Sequence, residues 1–527
     1  MHEIEVILGL LLVVAALAVV AQRLAVPYPI LLVIGGLVLS FVPGLPKVEL
    51  NPEFVFVLFL PPLLTSAAWY TSWRDFRANL RPILLLAIGL VLVTTTAVAV
   101  VAHIAIDGFT WAVGFLLGAI VSPPDAVAAT AITQRLSVPR RIITILEGES
   151  LVNDATGLVA YRFAVAAVAT SMFSLGDASL RFFIMGIGGV LIGLATGWLI
   201  VWIHKVMDDS LVEITSTILM GFVAYLLAEH LGVSGVLAVV ANGIYHRWHS
   251  SEVLSPTTRI QTIAVWDIIV FLLNGLIFIL IGLQLPSVLK EISEYSTATL
   301  IWYAVLVSAV VIGVRLLWIF PSAHIPRMLN RKLRETDPTP PWQTLLLLGW
   351  TGMRGVVSLA AALALPLTTS NGTPFPGRDL IIFLTFCVIL VTLVLQGLTL
   401  PILIRWLKIV DDAGSEREEM EARRTAAQAA MARIEELSAQ DGVLAQAQMV
   451  AWLQTQYKDR IQRLSACCEA LDEGSYEQLA AFRRLQHEVL ATERRTTIKL
   501  RNQGIINDEV LHRIERELDL EEARLGS

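Results

Sequence analysis

One apolar stretch, residues 147–157, combines a hydroxyl, an amide and several carboxylates. Ser150 and Asp154 are four residues apart, so a helix places both on one face with Asn153 beside them. Hard cations such as Na⁺ bind oxygen ligands, which Ser150, Asp154 and nearby carbonyls can supply. The same carboxylate can take a proton, because desolvation favours the neutral form of an acid. The pattern predicts a site where a cation and a proton compete.

A second apolar stretch places Asp125 directly after two prolines, Pro123 and Pro124. Consecutive prolines lack backbone donors and prevent a regular helix. Inside a membrane such backbone is tolerated only where it is buried or lines a cavity, and transporters hold ions at broken helices. The glycine-rich residues 349–355 around Arg354 offer a counterpart. Glycines also mark close helix packing, but a charged residue among them favours a second broken helix.

Other charges lie in apolar segments, where ionisable groups are costly and usually face the bundle interior. Glu149 and Arg315 are expected at similar depth and have opposite sign, which predicts a buried ion pair with a structural role. Arg162 has two interpretations, a residue that reaches the membrane rim or an electrostatic neighbour of Asp154. Glu147 and Glu213 lie near predicted segment ends and are expected to be hydrated.

The composition separates two regions with different solvents. The chain of 527 residues is 55% hydrophobic and 16% charged, against about 25% charged in soluble domains. Residues 411–527 hold 23 of the 45 acids and 16 of the 39 bases, which leaves 22 acids and 23 bases in residues 1–410. We therefore predict a membrane domain over 1–410 in contact with lipid, and a polar tail over 411–527. No nucleic-acid partner is expected.

Three cysteines in 527 residues exclude a disulfide framework, and no Cys/His spacing resembles a zinc site. No cofactor is expected.

A transmembrane helix needs about 20 mostly apolar residues. That length predicts thirteen spans, over residues 4–22, 29–44, 52–70, 82–106, 110–131, 143–171, 182–203, 211–229, 232–246, 262–285, 297–320, 342–367 and 379–406. The boundary at Leu231-Gly232 is the weakest. With the C-terminus inside, the inside loops carry 14 Lys/Arg and the outside loops 4. This asymmetry predicts an N-terminus outside and a cytoplasmic tail.

The tail is predicted to be helical, since residues 416–524 are rich in good helix formers after a polar linker at 411–415. Breaks are expected at Asp441-Gly442 and Glu473-Gly474-Ser475. Two interpretations remain open, a solvated helical bundle without chemistry and a segment for regulation or dimer contact.

Five motifs in order resemble those of the electroneutral sodium/proton exchanger family. They are Leu58–Leu64 with its double proline, Ser122–Val127, Gly148–Asp154, Gly352–Gly355 and Gln396–Thr399. The resemblance covers about residues 5–408. It implies an all-α polytopic membrane protein of about thirteen helices, with inverted repeats and broken core helices, in a bacterial inner membrane.

The resemblance also implies a homodimer whose dimer and core subdomains move in an elevator manner. It implies that Asp154 carries Na⁺ or H⁺, with help from Asn153, Ser150 and Asp125. An electroneutral 1:1 stoichiometry is expected, because Asn153 stands where electrogenic relatives have a second aspartate. The implied activity is Na⁺ (or Li⁺)/H⁺ antiport for pH and sodium homeostasis, with no enzymatic step.

Two departures from the family pattern bear on cation choice. Thr65-Ser66 stands where many members have an acid, and Pro124 where many have threonine. A K⁺/H⁺ antiporter is therefore the main alternative. A channel would favour a continuous polar stripe or a repeated filter sequence, and the chain has neither. A protease dyad of Asp125 and Asp154 would need a Gly-x-Gly-Asp context, which is also missing.

Overall fold

The computed structural model describes residues 2–24, 27–42, 52–133, 138–170, 175–207, 209–292, 295–369, 372–409, 414–438, 447–472, 476–503, 505 and 508–525. Over these ranges the chain is helical, and the only β-type contact is an isolated bridge between Thr368 and Pro374. The predicted all-α class is confirmed. The chain divides into two compact units, Met1–Val410 and Asp411–Ser527, which are described separately.

The first half of the Met1–Val410 unit contains α1 (His2–Leu24), α2 (Tyr28–Leu39), α3 (Pro52–Tyr70), α4 (Trp73–Ala78), α5 (Leu80–Leu84), a π-helical turn (Leu85–Leu90), α6 (Val91–Ala105), α7 (Trp111–Val121), α8 (Ala126–Thr133) and α9 (Arg140–Thr170). The second half contains α10 (Leu175–His204), α11 (Ser210–His230), α12 (Gly235–Val253), α13 (Pro256–Glu291), α14 (Thr297–Leu329), α15 (Arg331–Thr336), α16 (Trp342–Trp350), α17 (Val356–Leu363), α18 (Arg378–Val391), a π-helical turn (Thr392–Gln396) and α19 (Gly397–Leu407).

Eight helical segments in the described part of the chain are long and apolar enough to cross a membrane, and three shorter helices are also apolar. Each of the thirteen predicted spans overlaps a helix or a pair of helices, while the number of crossings stays a prediction. Helix α12 continues beyond the ninth predicted span, to Val253. The predicted boundary at Leu231-Gly232 is a turn, because Gly232 has a φ of +70° between α11 and α12.

Hydroxyl side chains begin several of the membrane helices. Ser234, Ser255 and Ser296 precede α12, α13 and α14, and each Oγ accepts a hydrogen bond from the backbone N–H three residues later. Thr110 does the same at α7. Each cap satisfies one of the four N–H groups that a helix start leaves without partners, which matters most where water is scarce.

Helices α2 and α13 cross at a pair of glycines. A Cβ atom at Gly36 would collide with the carbonyl oxygen of Ile279, and one at Gly282 would collide with that of Val33. Small residues allow two membrane helices to approach until their backbones touch, and van der Waals contact then holds the pair. The crossing anchors the cluster of buried apolar side chains formed by α1, α2, α13 and α18.

Gly282→Ala is expected to destabilise the membrane unit by about 1–3 kcal/mol, because an overpacked contact forces backbone shifts. Gly313→Ala in α14 is the matched control, since a Cβ there meets nothing within 4 Å. The melting temperature of Gly313→Ala should stay the same or rise slightly, because alanine has a higher helix propensity than glycine. Thermal unfolding of both variants in detergent measures the effect, and equal melting temperatures would contradict the close crossing.

The Asp411–Ser527 unit contains α20 (Gly414–Ser438), α21 (Ala447–Asp472), α22 (Tyr476–Asn502) and α23 (Asp508–Leu525). Arg494 of α22 pairs with Asp519 and Glu522 of α23, at 2.6 and 2.7 Å. The predicted helical content of the tail is present. The predicted linker 411–415 was too long, since Gly414 and Ser415 already belong to α20. Its residues 411–413 and the breaks at Asp441-Gly442 and Glu473-Gly474-Ser475 lie outside the described residues.

Candidate functional site

Two interrupted helices meet in the membrane unit. Helix α7 ends at Val121 and α8 begins at Ala126, whereas α16 ends at Trp350 and α17 begins at Val356. The proline pair and the glycine-rich stretch cause these interruptions, as the sequence predicts. The Asp125 N–H donates a 2.7 Å hydrogen bond to the Met353 carbonyl and so joins the two breaks. Only glycine fits at position 355, because a Cβ there would collide with the Asp125 side chain.

Arg354 fills the space between the two breaks and is fully buried. Its Nε donates to the Val121 carbonyl at 3.0 Å, and its Nη2 donates to the Ser122 carbonyl at 3.3 Å. Nη1 contacts the Gly352 carbonyl. The Val121 and Ser122 carbonyls lie at the end of α7, and the Gly352 carbonyl lies in the second break. At both places the N–H partners that a continuous helix would supply are missing. A positive charge also suits the negative end of the α7 dipole.

Helix α9 brings the amide and hydroxyl of the sequence motif to the first break. Asn153 Nδ2 donates to the Pro124 carbonyl at 2.6 Å, and Ser150 Oγ accepts from the Ala126 N–H at 3.3 Å. Asp125 Oδ1 accepts from the Val127 N–H at 2.8 Å and caps α8. The predicted residues Ser150, Asn153 and Asp125 are therefore held around one segment of broken backbone.

Asp154 follows Asn153 in α9, and its side chain is 8% exposed. Within the described part of the chain no hydrogen bond reaches its carboxylate, which interacts electrostatically with Asp125. The neighbouring Asn153 Oδ1 is also buried and lacks a hydrogen-bond partner. Buried polar oxygens are normally satisfied, so these two residues have spare capacity for a bound cation or proton.

Glu149 and Arg315 form a buried bidentate contact. Arg315 Nη1 and Nη2 lie 2.5 and 2.8 Å from Glu149 Oε1 and Oε2, and the two side chains are 0% and 1% exposed. Arg315 Nε also donates to the Leu348 carbonyl at 3.2 Å. Gly352 is packed against the Arg315 side chain, where a Cβ would not fit. The contact thus connects α9 and α14 to the end of α16 and the second break.

The remaining charges differ in part from the sequence expectations. Arg162 lies 2.7 Å from Glu229, and its side chain is 45% exposed, which favours the rim interpretation. Glu213 was expected to be hydrated, but it is 2% exposed. The expectation was wrong because neighbouring helices, among them α10 and α12, pack against α11, which sequence position alone does not reveal.

The hydroxyl pair that replaces the family's acid on α3 is buried. Thr65 Oγ1 donates to the Pro61 carbonyl at 2.7 Å and lies against Gly221 of α11. Ser66 is 4% exposed. The Thr65 hydroxyl is therefore used within its own helix, in the i to i−4 back-bond that buried serines and threonines commonly make.

Sequence reasoning missed Thr392 and gave no partner for Thr399, although both hydroxyls hold the second break. Thr392 Oγ1 accepts from the Arg354 N–H at 3.1 Å, and Trp350 Nε1 donates to Thr399 Oγ1 at 2.9 Å. Thr392 lies in an apolar helix, where a hydroxyl usually bonds its own backbone, so it gave no signal. Thr399 belongs to the Gln396–Thr399 motif, which indicated importance without indicating a partner.

Crossed, interrupted helices around buried charges in an apolar helical bundle define a secondary transporter fold. The same fold is present in MjNhaP1, the sodium proton antiporter of Methanocaldococcus jannaschii, with a TM-score of 0.60 and 20% identity over 77% of this chain and 99% of that one.

The sequence comparisons are more specific. Residues 9–406 match the family model of the sodium/hydrogen exchanger transmembrane domain. A protein of Mycobacterium tuberculosis named as an uncharacterised Na⁺/H⁺ exchanger is 35% identical over 99% of this chain and 97% of its own length. The Na⁺/H⁺ antiporter ApNhaP of Aphanothece halophytica is 32% identical over 82% of this chain and 80% of its own. The chain belongs to the sodium/hydrogen exchanger family, whose members are membrane antiporters and not enzymes.

Arg315→Ala is expected to lower the melting temperature and the yield of folded protein. It strands the Glu149 carboxylate in the interior, which typically costs about 3–5 kcal/mol. The double variant Glu149→Leu/Arg315→Leu should recover most of that loss, because it leaves no buried charge unpaired. Thermal unfolding and size-exclusion chromatography measure both. A stable, monodisperse but inactive Arg315→Ala protein would instead give the pair a direct part in transport.

Proposed function

We propose that this antiporter exchanges Na⁺, or Li⁺, for H⁺ at a site centred on Asp154, with Asn153, Ser150 and Asp125 around it. The observation that carries the proposal is the buried Asp154 carboxylate without a hydrogen-bond partner among the described residues, next to the unsatisfied Asn153 Oδ1. A proton or a monovalent cation satisfies that carboxylate, and the two cannot occupy it together. Competition for one group couples the two fluxes.

The proposed stoichiometry is one cation for one proton. Asn153 cannot titrate, and its Nδ2 is committed to the Pro124 carbonyl. Asp125 Oδ1 is committed to the backbone of α8. That leaves Asp154 as the group that changes state in each half-cycle. Its net charge is the same with H⁺ or with Na⁺, so each loaded crossing moves no net charge.

We propose that the interrupted helices and α9 move together as a core subdomain against a dimer subdomain, in an elevator manner. The Asp125–Met353, Asn153–Pro124 and Glu149–Arg315 contacts support this, because they join α8, α9, α14 and the second break. A unit tied by buried polar contacts moves without breaking them, whereas a local gate would leave charges unpaired. A homodimer supplies the stationary partner that such movement needs.

The choice of cation rests on finer differences. The relative from Bacillus subtilis is named a sodium, potassium, lithium and rubidium/H⁺ antiporter, and it is 37% identical over 76% of this chain and 61% of its own length. In this chain the acid of α3 is replaced by buried hydroxyls, which removes one negative ligand. K⁺/H⁺ antiport is therefore the second candidate. It is favoured by Ser66 and Pro124, because these positions lack the acid and the threonine hydroxyl that many relatives carry there.

The basic loops support an orientation in a bacterial inner membrane with the N-terminus outside and the tail in the cytoplasm. The acidic helical tail then lies where it can sense cytoplasmic conditions, and we propose a regulatory role for it. Exchange in this orientation would serve pH and sodium homeostasis.

Asp154→Asn should reduce cation-driven proton flux to the level of empty vesicles, because an amide cannot bind a proton in exchange for Na⁺. Everted vesicles or proteoliposomes with a pH-sensitive dye measure the flux after addition of Na⁺, Li⁺ or K⁺. Asp107→Asn, at an exposed loop position, is the matched control and should transport normally. Equal melting temperatures of the two variants show that folding is intact.

The outcomes separate the candidates. Flux with Na⁺ or Li⁺ alone supports sodium/proton exchange, and equal flux with K⁺ assigns the alternative. Retained cation-dependent flux in Asp154→Asn would overturn the site assignment for either cation. A dependence of the wild-type rate on membrane potential would contradict the 1:1 stoichiometry.

A further inference from the structure

A pocket of about 1030 Å³ in the membrane unit is lined by residues that lie outside both interrupted helices. It lies between α4, α5 and the first π-helical turn on one side and the residues around α15 on the other. Arg77, Arg81 and Arg141 line it, and Asp337 is the single acid among its described lining residues. All three arginines belong to the loops that the charge asymmetry assigns to the inside of the membrane.

The positive charge of the arginines around Asp337 exceeds what its single carboxylate can neutralise. Arg81, Arg141 and the largely buried Arg327 each lie within 2.8–2.9 Å of its carboxylate. Burial alone would raise the pKa of Asp337, but the hydrogen bond from Arg141 and the charges of Arg141, Arg327 and Arg81 lower it below its usual range. Asp337 is thus ionised at neutral pH, and it orients guanidinium groups whose summed charge stays positive.

The other wall of the pocket is apolar and continues along the helix that enters the membrane. It is formed by Leu84, Leu85 and Ile88. Leu84 is 37% exposed. At its base the Trp318 Nε1 donates to the Leu85 carbonyl at 3.1 Å, and a Cβ at Gly89 would lie 2.9 Å from the Trp318 ring. The missing side chain of Gly89 therefore leaves room for the Trp318 ring, which packs against the π-helical turn behind this wall.

We propose that this pocket binds the phosphate headgroup of an anionic phospholipid from the inner leaflet, with the acyl chains along Leu84, Leu85 and Ile88. Arginine guanidinium groups bind phosphate by paired, charge-assisted hydrogen bonds. Basic pockets beside membrane helices on the cytoplasmic side bind anionic lipid headgroups. A free phosphate shares the headgroup chemistry but has no use for the apolar wall. The inference depends on the predicted position of the pocket's loops on the inner side of the membrane. It does not depend on which cation the antiporter carries.

The test measures binding to the purified full-length protein in a neutral detergent. Phosphatidylglycerol, phosphatidylcholine and inorganic phosphate are titrated separately, and the rise in melting temperature gives an apparent affinity. Arg77→Gln and Arg141→Gln each remove one pocket charge, and each is expected to weaken phosphatidylglycerol binding about fivefold. Arg331→Gln is the matched control, because Arg331 is 84% exposed on nearby α15 and is absent from the pocket lining. Native mass spectrometry of the same variants counts the lipids that stay bound, in case a substitution shifts the melting temperature by itself.

Binding of phosphatidylglycerol but not phosphatidylcholine, weakened in both pocket variants and unchanged in Arg331→Gln, supports the proposal. Equal weakening in all three variants would overturn it, since binding would then follow the diffuse charge of the surface. Equal stabilisation by inorganic phosphate would overturn the lipid assignment and leave a phosphate site. Unchanged affinity in both pocket variants would exclude this pocket as the lipid-binding site. Cation-driven proton flux is measured in parallel, so that failure of the lipid proposal can be distinguished from failure of the antiport proposal.

Discussion

The fold of the membrane unit depends on the way one buried guanidinium replaces missing helical hydrogen bonds. Breaking two helices inside a membrane exposes carbonyls that neither lipid nor a helical N–H satisfies, and each would cost several kcal/mol. Arg354 donates to carbonyls from both breaks, and the Asp125 N–H donates to a third. The breaks are stable only as a pair. This mutual dependence fixes where the two breaks meet and hence where the neighbouring carboxylates lie.

The buried charges around this crossing separate into two sets. Arg315 and Glu149 satisfy each other in a bidentate contact, and Arg315 also holds the end of α16. Asp154 has no such partner in the described part of the chain, although it is nearly as buried. A carboxylate locked by a guanidinium has little tendency to bind a proton or a cation, whereas an unpaired one requires a positive partner. Two neighbouring acids on one helix thereby acquire different roles from their surroundings.

The ends of the helices use charge differently from the centre. At depth each positive group is matched to carbonyls or to one carboxylate, because unpaired charge is expensive there. At the loops predicted to lie inside, Arg81, Arg141 and Arg327 share one aspartate. Excess positive charge is tolerated at a membrane surface because water and lipid headgroups solvate it there. The same residue type therefore stabilises the broken helices in one place and offers a binding surface in another.

The sequence by itself determined the elements and their breaks. Apolar length predicted the helices, Pro123-Pro124 and the glycines around Arg354 predicted the interruptions, and the spacing of Ser150 and Asp154 predicted a shared helix face, because these features depend on local backbone rules and on the solvent. Only the tertiary structure decided that Arg354 binds the carbonyls of Val121 and Ser122, that Thr392 supports it, that Glu213 is covered, and that Gly89 admits Trp318. Those partners lie far apart in the chain. Which buried polar groups meet is set by the packing of whole helices, and no local pattern encodes it.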